Sequence, residues 1–364
     1  MTVPRPPRAQ GRVAPEDKVR RVNPPRWLQR IRVDRFLLAI ITSAVIASIL
    51  PARGSGVEVF SWLTKIVIGV LFFLYGARLE PREALEGVRH WRLHGLILSF
   101  TFLVFPLIGI ALHPVLGRLI SPDLYAGLLY VTLVPSTVQS SVNFTSIARG
   151  NVAGAIVSAS FSNLIGVFIT PLLALLLLPT AGGLHIQGSA ILDIVLQLLV
   201  PFVLGQLSRP LTARFVVDHR KPLKFVDQGS IVLVVYSAFS AGMREHIWSS
   251  ISIGALAIVL VVILAILAFM LWLTWTVAGR LGFSRADRIA IQFCGTKKSL
   301  ATGLPMATVL FAGSPVGLIV LPLMVFHQAQ LMACGSIAAR YAREAEDAER
   351  ARRAASAQPQ AHWG

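Results

Sequence analysis

Long apolar runs broken at short intervals by proline, glycine or charge dominate the chain, with neither the period of two of a strand nor an amphipathic period of 3.6 prevailing. The uncharged run 251–273 is typical. About 18 or more consecutive apolar residues read as a helix that crosses a bilayer, which needs about 20 residues to span. Punctuation at each interruption divides the chain into ten segments, approximately 34–50, 60–79, 93–116, 122–149, 152–178, 189–209, 227–245, 250–279, 285–312 and 314–340. The fold class expected is an all-α polytopic membrane protein. Phe36–Leu50 follows a basic stretch as a signal peptide would, but it lacks a convincing small-residue cleavage site and is read as the first span.

Composition agrees with this pattern. Of 364 residues 55% are hydrophobic and only 14% charged, with a mean hydropathy of +0.68, whereas a soluble domain carries about 25% charged residues. The net charge of +17 would suggest nucleic acid in a soluble protein. Here the basic residues crowd into the short segments between apolar runs, so no nucleic-acid partner is expected, only the bilayer. Of the 34 Lys and Arg, two lie inside a span, four (Arg53, Lys65, Arg118, Arg244) fall on one side and the other 28 on the opposite side. Basic loops stay cytoplasmic. Both termini are therefore expected in the cytoplasm of a cell with the chain in its inner (plasma) membrane. Residues 1–33 hold nine basic residues and almost no apolar stretch, and read as a disordered cytoplasmic tail. Residues 341–364 form the C-terminal tail, in which the alternating charges of Glu344–Arg353 suit a solvated end of the last helix.

Ten spans divide into five and five at the uncharged linker Pro179–Gly188, giving a first repeat over 34–178 and a second over 189–340. An odd number per half turns the second half upside down, the inverted-repeat plan of secondary transporters. Gly150–Val157 and Gly313–Val320 share four identities at the junctions of spans four with five and nine with ten, a weak internal echo of that plan.

Polar residues interrupt spans four and nine at mid-depth. Pro135–Ser146 carries hydroxyl side chains and two amides, among them Gln139, Ser140, Ser141 and Asn143, where lipid would favour leucine. The counterpart, Cys294–Pro305, contains Thr296, Lys297, Lys298 and Ser299. Irregular backbone at membrane depth is tolerated only against protein or a watery cavity, and matched broken helices point to a transport site. A lysine in mid-span costs at least about 2.5 kcal/mol to insert and usually marks a pathway. Successive helical residues point about 100° apart, so the two lysines cannot line one narrow cavity equally. Span five adds Ser158 and Ser162 on one face, and span ten adds His327 and Gln328. Each single hydroxyl could simply join helices, and His327 could be a hydrogen-bonded core group. His90 and His94, beside arginines, read as interfacial anchors rather than metal ligands. Cys294 and Cys334 read as small core residues. No carboxylate falls near the middle of a span, which disfavours a membrane hydrolase or a buried metal site. No catalytic residue, metal ligand or cofactor is expected, and the pattern defines no oligomeric interface.

Leu71–Leu79, His90–His94, Ala148–Ala153, Gly295–Ala301 and Leu321–Gln328 together resemble the bile acid:sodium symporter superfamily, in its bacterial branch that also takes in the seventh member of human solute carrier family ten. The resemblance spans about residues 34–340. It implies a panel domain (spans one, two, six and seven) and a core domain, with spans four and nine crossing at their breaks. It also implies an organic anion as substrate and alternating access. In sodium-coupled members a glutamate and a glutamine flank the ninth-span break as sodium ligands, and their places correspond here to Phe293 and Lys297. Ser140, Ser141 and Asn143 resemble the ligands of span four. Lys297 is expected to bring the charge that sodium would bring, holding the carbonyl ends of the half-helices with Ser141, Asn143 and Thr296 as acceptors. Transport is then expected to be sodium-independent, either coupled to a proton on Lys297 or simply facilitated. The alternative function is a non-transporting membrane regulator of ion homeostasis.

Overall fold

A computed structural model describes residues 35–78, 90–181, 192–244 and 252–356. The N-terminal tail, the linker around 182–191 and the last eight residues, with the expectations attached to them, lie outside the described residues. Within them every regular element is helical. In chain order these are α1 (Arg35–Ile49), α2 (Ser55–Arg78), α3 (Trp91–Ser99, continued through Phe100–Val104 and Phe105–Ala111), α4 (Pro122–Leu133), α5 (Val138–Ile147), α6 (Val152–Ala181), α7 (Val200–Asp218, entered through Val195–Leu199), α8 (Arg220–Arg244), α9 (Ile253–Arg280), α10 (Arg285–Thr296), α11 (Leu300–Leu310) and α12 (Val316–Ser356). A short turn of helix, His113–Leu116, follows α3.

Seven of the helices are long and apolar enough to cross a membrane. Large apolar side chains such as Ile49, Leu211, Phe225 and Ile253 are exposed, as they must be where the surrounding solvent is lipid. Their ends carry local signals: Ser121, Ser252 and Ser284 cap α4, α9 and α10 by accepting from Leu124, Ala255 and Asp287 backbone N–H groups. Asn151 caps α6, its Oδ1 accepting from the Gly154 N–H at 2.8 Å, and its Nδ2 donates to Asp287 at the start of α10.

α2 and α7 form the most extensive helix pairing. At their crossing Gly76 faces the Phe202 carbonyl and Gly205 the Phe73 carbonyl, and a Cβ on either glycine would run into that oxygen. Small residues let backbones approach in this way when no hydrophobic force acts between helices in lipid.

Two expectations change. The basic stretch from Arg209 to Lys224 is not a loop between spans: α7 runs to Asp218 and α8 begins at Arg220. Long basic side chains carry their charge to water while their stems stay apolar, so charge alone does not end a helix. His94 is buried rather than interfacial, 2.7 Å from the Ser158 hydroxyl. The last helix runs on past 340 as the alternating charges suggest, α12 reaching Ser356, and there Arg285 and Arg340 meet Glu344 and Arg149 meets Glu346 and Glu349.

The core lies between α4, α5, α10, α11, α12 and their neighbours α3, α6 and α9. It contains the two interrupted helices, α4/α5 and α10/α11, each broken for about three residues: Pro135–Thr137 and Lys297–Ser299.

Candidate functional site: two broken helices that cross

The breaks touch backbone to backbone. Ser299 N–H donates to the Pro135 carbonyl at 2.8 Å. Thr137 Oγ1 donates to the Lys298 carbonyl at 2.8 Å, and Ser136 Oγ to the Cys294 carbonyl at 2.6 Å. A helix end exposes orphan carbonyls that lipid cannot satisfy, and here each interrupted helix supplies donors for the other.

The end of α4 is met by a cation. Lys298 is fully buried, and its Nζ donates to the Thr132 carbonyl at 2.8 Å, the Val134 carbonyl at 3.0 Å and the Thr101 carbonyl at 2.9 Å. A positive charge at a helix C-terminus also complements the helix dipole. The third carbonyl is free for a local reason. Around Phe100–Val104 α3 widens to a five-residue turn, with the Phe105 N–H reaching the Phe100 carbonyl. The next such donor, to Thr101, would come from residue 106, which is proline and has no N–H. The Phe105 ring lies 4.1 Å from the same ammonium, adding cation–π attraction.

Lys297 is equally buried but differently held. Its ammonium lies 3.8 Å from the Phe144 ring centroid and has no hydrogen-bond partner. The expectation that Lys297 grips the carbonyl ends, with Ser141, Asn143 and Thr296 as acceptors, is therefore corrected: Lys298 grips them. The reason is geometric. The break turns successive side chains apart, and only the second lysine faces the end of α4.

Among the other candidates, Ser141 Oγ donates to the Phe293 carbonyl at 3.3 Å, Thr296 shares a 3.3 Å contact with the Thr274 hydroxyl, and Ser299 caps α11 by accepting from the Thr302 N–H at 3.2 Å. Ser162 Oγ accepts from the Ser136 N–H at 3.1 Å. Gln139 and Asn143 are exposed, and Ser158 is taken by His94. Ser140 Oγ and Gln328 Oε1 are buried without partners, and His327 lies 3.0 Å from Gln330.

Two residues outside the candidate set hold the crossing together. Asn163 Nδ2 donates to the Ser136 carbonyl at 2.7 Å while its Oδ1 accepts from Thr302 Oγ1 at 2.7 Å, joining the first break to α11. Gln330 accepts from the Lys298 N–H and donates to the Lys298 carbonyl, both at 2.8 Å. Both were visible as polar residues in apolar spans. Their inward direction depends on where α6 and α12 pack.

A multi-pass chain of long apolar helices, with two interrupted ones meeting at a buried cation, defines a membrane transport protein. The chain belongs to the SBF-like CPA transporter family, whose model matches residues 34–343. It is 50% identical over 314 residues to an uncharacterised protein of Pseudomonas aeruginosa, covering 86% of this chain and 94% of that one. It is 45% identical to YfeH of Escherichia coli, whose name assigns it provisionally to the symporters, with the same coverage. Identity to the sodium/bile acid cotransporter 7 of Danio rerio is 30% over 313 residues, 84% of this chain and 92% of that protein.

Proposed function

We propose that the chain is a secondary carrier of a small organic anion, working by alternating access and without sodium. It crosses the inner membrane ten times, both ends cytoplasmic, as two five-span halves over 34–178 and 189–340 related by inversion. The first three and next spans are α1, α2, α3 and the α4/α5 pair; α10/α11 is the matching ninth. Support for the repeat comes from the junctions. Arg149-Gly150-Asn151 leads from one broken pair into α6, and Gly313-Ser314-Pro315 leads from the other into α12. α1, α2, α7 and α8 would form the panel against which the core moves.

The observation that carries the reading is the ammonium of Lys298 among three backbone carbonyls at the crossing. Carbonyl oxygens are the ligands a small hard cation takes. A tethered cation that already fills such a cage leaves no vacancy for a free one, which favours sodium-independent transport. Lys297, buried and without a hydrogen-bond partner, is then the charge left for the substrate anion, and Phe144 is the face it leaves on binding. The sodium in the name of the 30% identical relative is not carried over to this chain.

The test is uptake of a panel of organic anions into liposomes containing the purified protein, with sodium replaced by choline. Wild-type uptake should be unchanged by the replacement, and Lys297→Gln should lose about tenfold or more in uptake while keeping its fold, in keeping with loss of a buried charge–charge contact. Uptake that collapses in choline overturns the sodium-independent reading. No uptake of any anion by well-folded protein favours a non-transporting regulator.

A further inference from the structure

A chain of aromatic rings connects Lys297 to the end of the bundle that carries Arg149, Arg285, Arg288 and Arg340. It starts at Phe144, whose ring centroid is 3.8 Å from the ammonium and whose edge lies against Gly335 of α12. The next rings are Phe293, 6.0 Å from Phe144, and Tyr341, 6.4 Å from Phe293. Tyr341 stacks on Trp275 at 4.9 Å, and the Arg288 guanidinium lies 4.0 Å from the Trp275 ring. Each of α5, α9, α10 and α12 contributes one ring. The column thus has a buried ammonium without a hydrogen-bond partner at one end and surface charge at the other.

Plain packing needs no polar atoms, yet this column has them. The Tyr341 hydroxyl donates to Gln292 Oε1 at 3.0 Å, and Gln292 Nε2 donates to the Leu271 carbonyl at 2.9 Å, both side chains being buried. On α12 the buried stripe Gln330, Cys334, Ala338 and Tyr341 recurs at spacings of four, four and three. Gln330 holds Lys298, the next two residues are small, and bulk comes only at Tyr341. Beyond it α12 is tied down by charge. Arg285 Nη2 donates to the Tyr341 carbonyl at 3.1 Å and meets Glu344 at 3.3 Å, while Arg149 meets Glu349 at 2.9 Å. Arg149 does so from left-handed backbone, φ 56°, directly after the C-cap of α5, a position that usually falls to glycine. That conformation is costly for a residue with a Cβ, and here it aims the guanidinium at α12. Exposed ion pairs are individually weak, so ties of this kind part readily.

We propose that Tyr341 is an inner gate between Lys297 and the basic end of the bundle, latched by Gln292 and kept shut by the charged extension of α12. The proposal rests on the reading of Lys297 as the charge left for the anion, and it adds the route by which water and a small anion reach that charge from the basic end. Moving the Tyr341 ring off Trp275 breaks one neutral hydrogen bond and uncovers Phe293 and Phe144, the last rings before the ammonium.

Cys294 and Cys334 are the two cysteines of the chain, both fully buried and both within electrostatic reach of Lys297, so they report the gate. The full-length protein in lipid nanodiscs is exposed to an anionic methanethiosulfonate, and labelling is followed by intact mass. A buried thiol reacts in proportion to the population of the open form. Wild type should label slowly and Y341A at least about tenfold faster. Q292M, which undoes the latch and leaves no hole, should label about threefold faster. R149Q/R285Q, changed only at partly exposed side chains, should label about two to fivefold faster. Y75F, which parts the contact of α2 with α11 and leaves the rings intact, should label as wild type does. An unchanged rate in both Q292M and R149Q/R285Q marks Tyr341 as plain packing and overturns the gate, whether or not Y341A folds. A rise in Y75F equal to that in Y341A overturns it too, because the thiols are then reached from the α2 side. Labelling uses no substrate: absent anion uptake with this labelling pattern intact strikes the anion reading and leaves the gate standing.

Discussion

The two breaks have the same length and opposite chemistry. At the first, Pro135-Ser136-Thr137 offers neutral hydroxyls, and the carbonyl end it leaves on α4 is met by the Lys298 ammonium and by Thr170 Oγ1, which donates to the Leu133 carbonyl at 2.9 Å. At the second, Lys297-Lys298-Ser299 offers charge, and the carbonyl end of α10 is met by the hydroxyls of Ser136 and Ser141. Each break thus repairs the helix end created by the other. An interrupted helix at membrane depth is tolerable here because a second one lies across it.

The sharpest way to break that reciprocity is Lys298→Met. It leaves the carbonyls of Thr101, Thr132 and Val134 without their donor, and hydrogen bonds from a charged group are worth about 1.5 to 3 kcal/mol each in mutational series. A loss of at least about 3 kcal/mol is expected, read as a lower denaturant midpoint in detergent and low yield of folded protein. Unchanged stability would mean that the ammonium does not hold the α4 end.

Asn163→Ala should cost less, about 1 to 2 kcal/mol, because the bonds that go are neutral: two at 2.7 Å, to the Ser136 carbonyl and from the Thr302 hydroxyl, and a longer one to the Ala159 carbonyl at 3.3 Å. The same denaturation measurement applies, and a loss equal to that of Lys298→Met would contradict the ranking of charge over amide. Lys297→Met should have the smallest effect on stability, within about 0.5 kcal/mol of wild type or above it. It removes a buried ammonium that has no hydrogen-bond partner while an apolar chain keeps the contact with Phe144. A large loss there would show that Lys297 is structural.

The positions of both breaks were legible in the sequence. Proline, glycine and hydroxyls in the middle of apolar runs are a local signal that confines the interruptions to Pro135–Ser146 and Cys294–Pro305, within which the fold breaks at 135–137 and 297–299. Which lysine meets which partner was not legible, because the break turns each side chain by an amount that only the facing helices set. Asn163 and Gln330 stood out as polar residues, but nothing local distinguished them from Gln139 and Asn143, which the fold leaves exposed. The Thr101 carbonyl had a sequence signal, Pro106, that becomes meaningful only once the widened turn is known. The extension of α7 and α8 into the basic stretch was hidden for a different reason: charge density marks the edge of the bilayer, and a helix can continue past that edge.

The glycine crossing of α2 and α7 has a mechanical consequence. With Gly76 and Gly205 each seated against the other helix's carbonyl, neither backbone can slide or roll past its partner without collision, so the two helices act as one stiff beam. The beam meets the second broken helix through a side-chain tip, the Tyr75 hydroxyl donating to the Ala301 carbonyl at 3.3 Å. A single bond of that length parts and reforms at little cost. Any stroke the molecule makes between these elements is therefore taken up at such tips, with the glycine seam travelling as a unit.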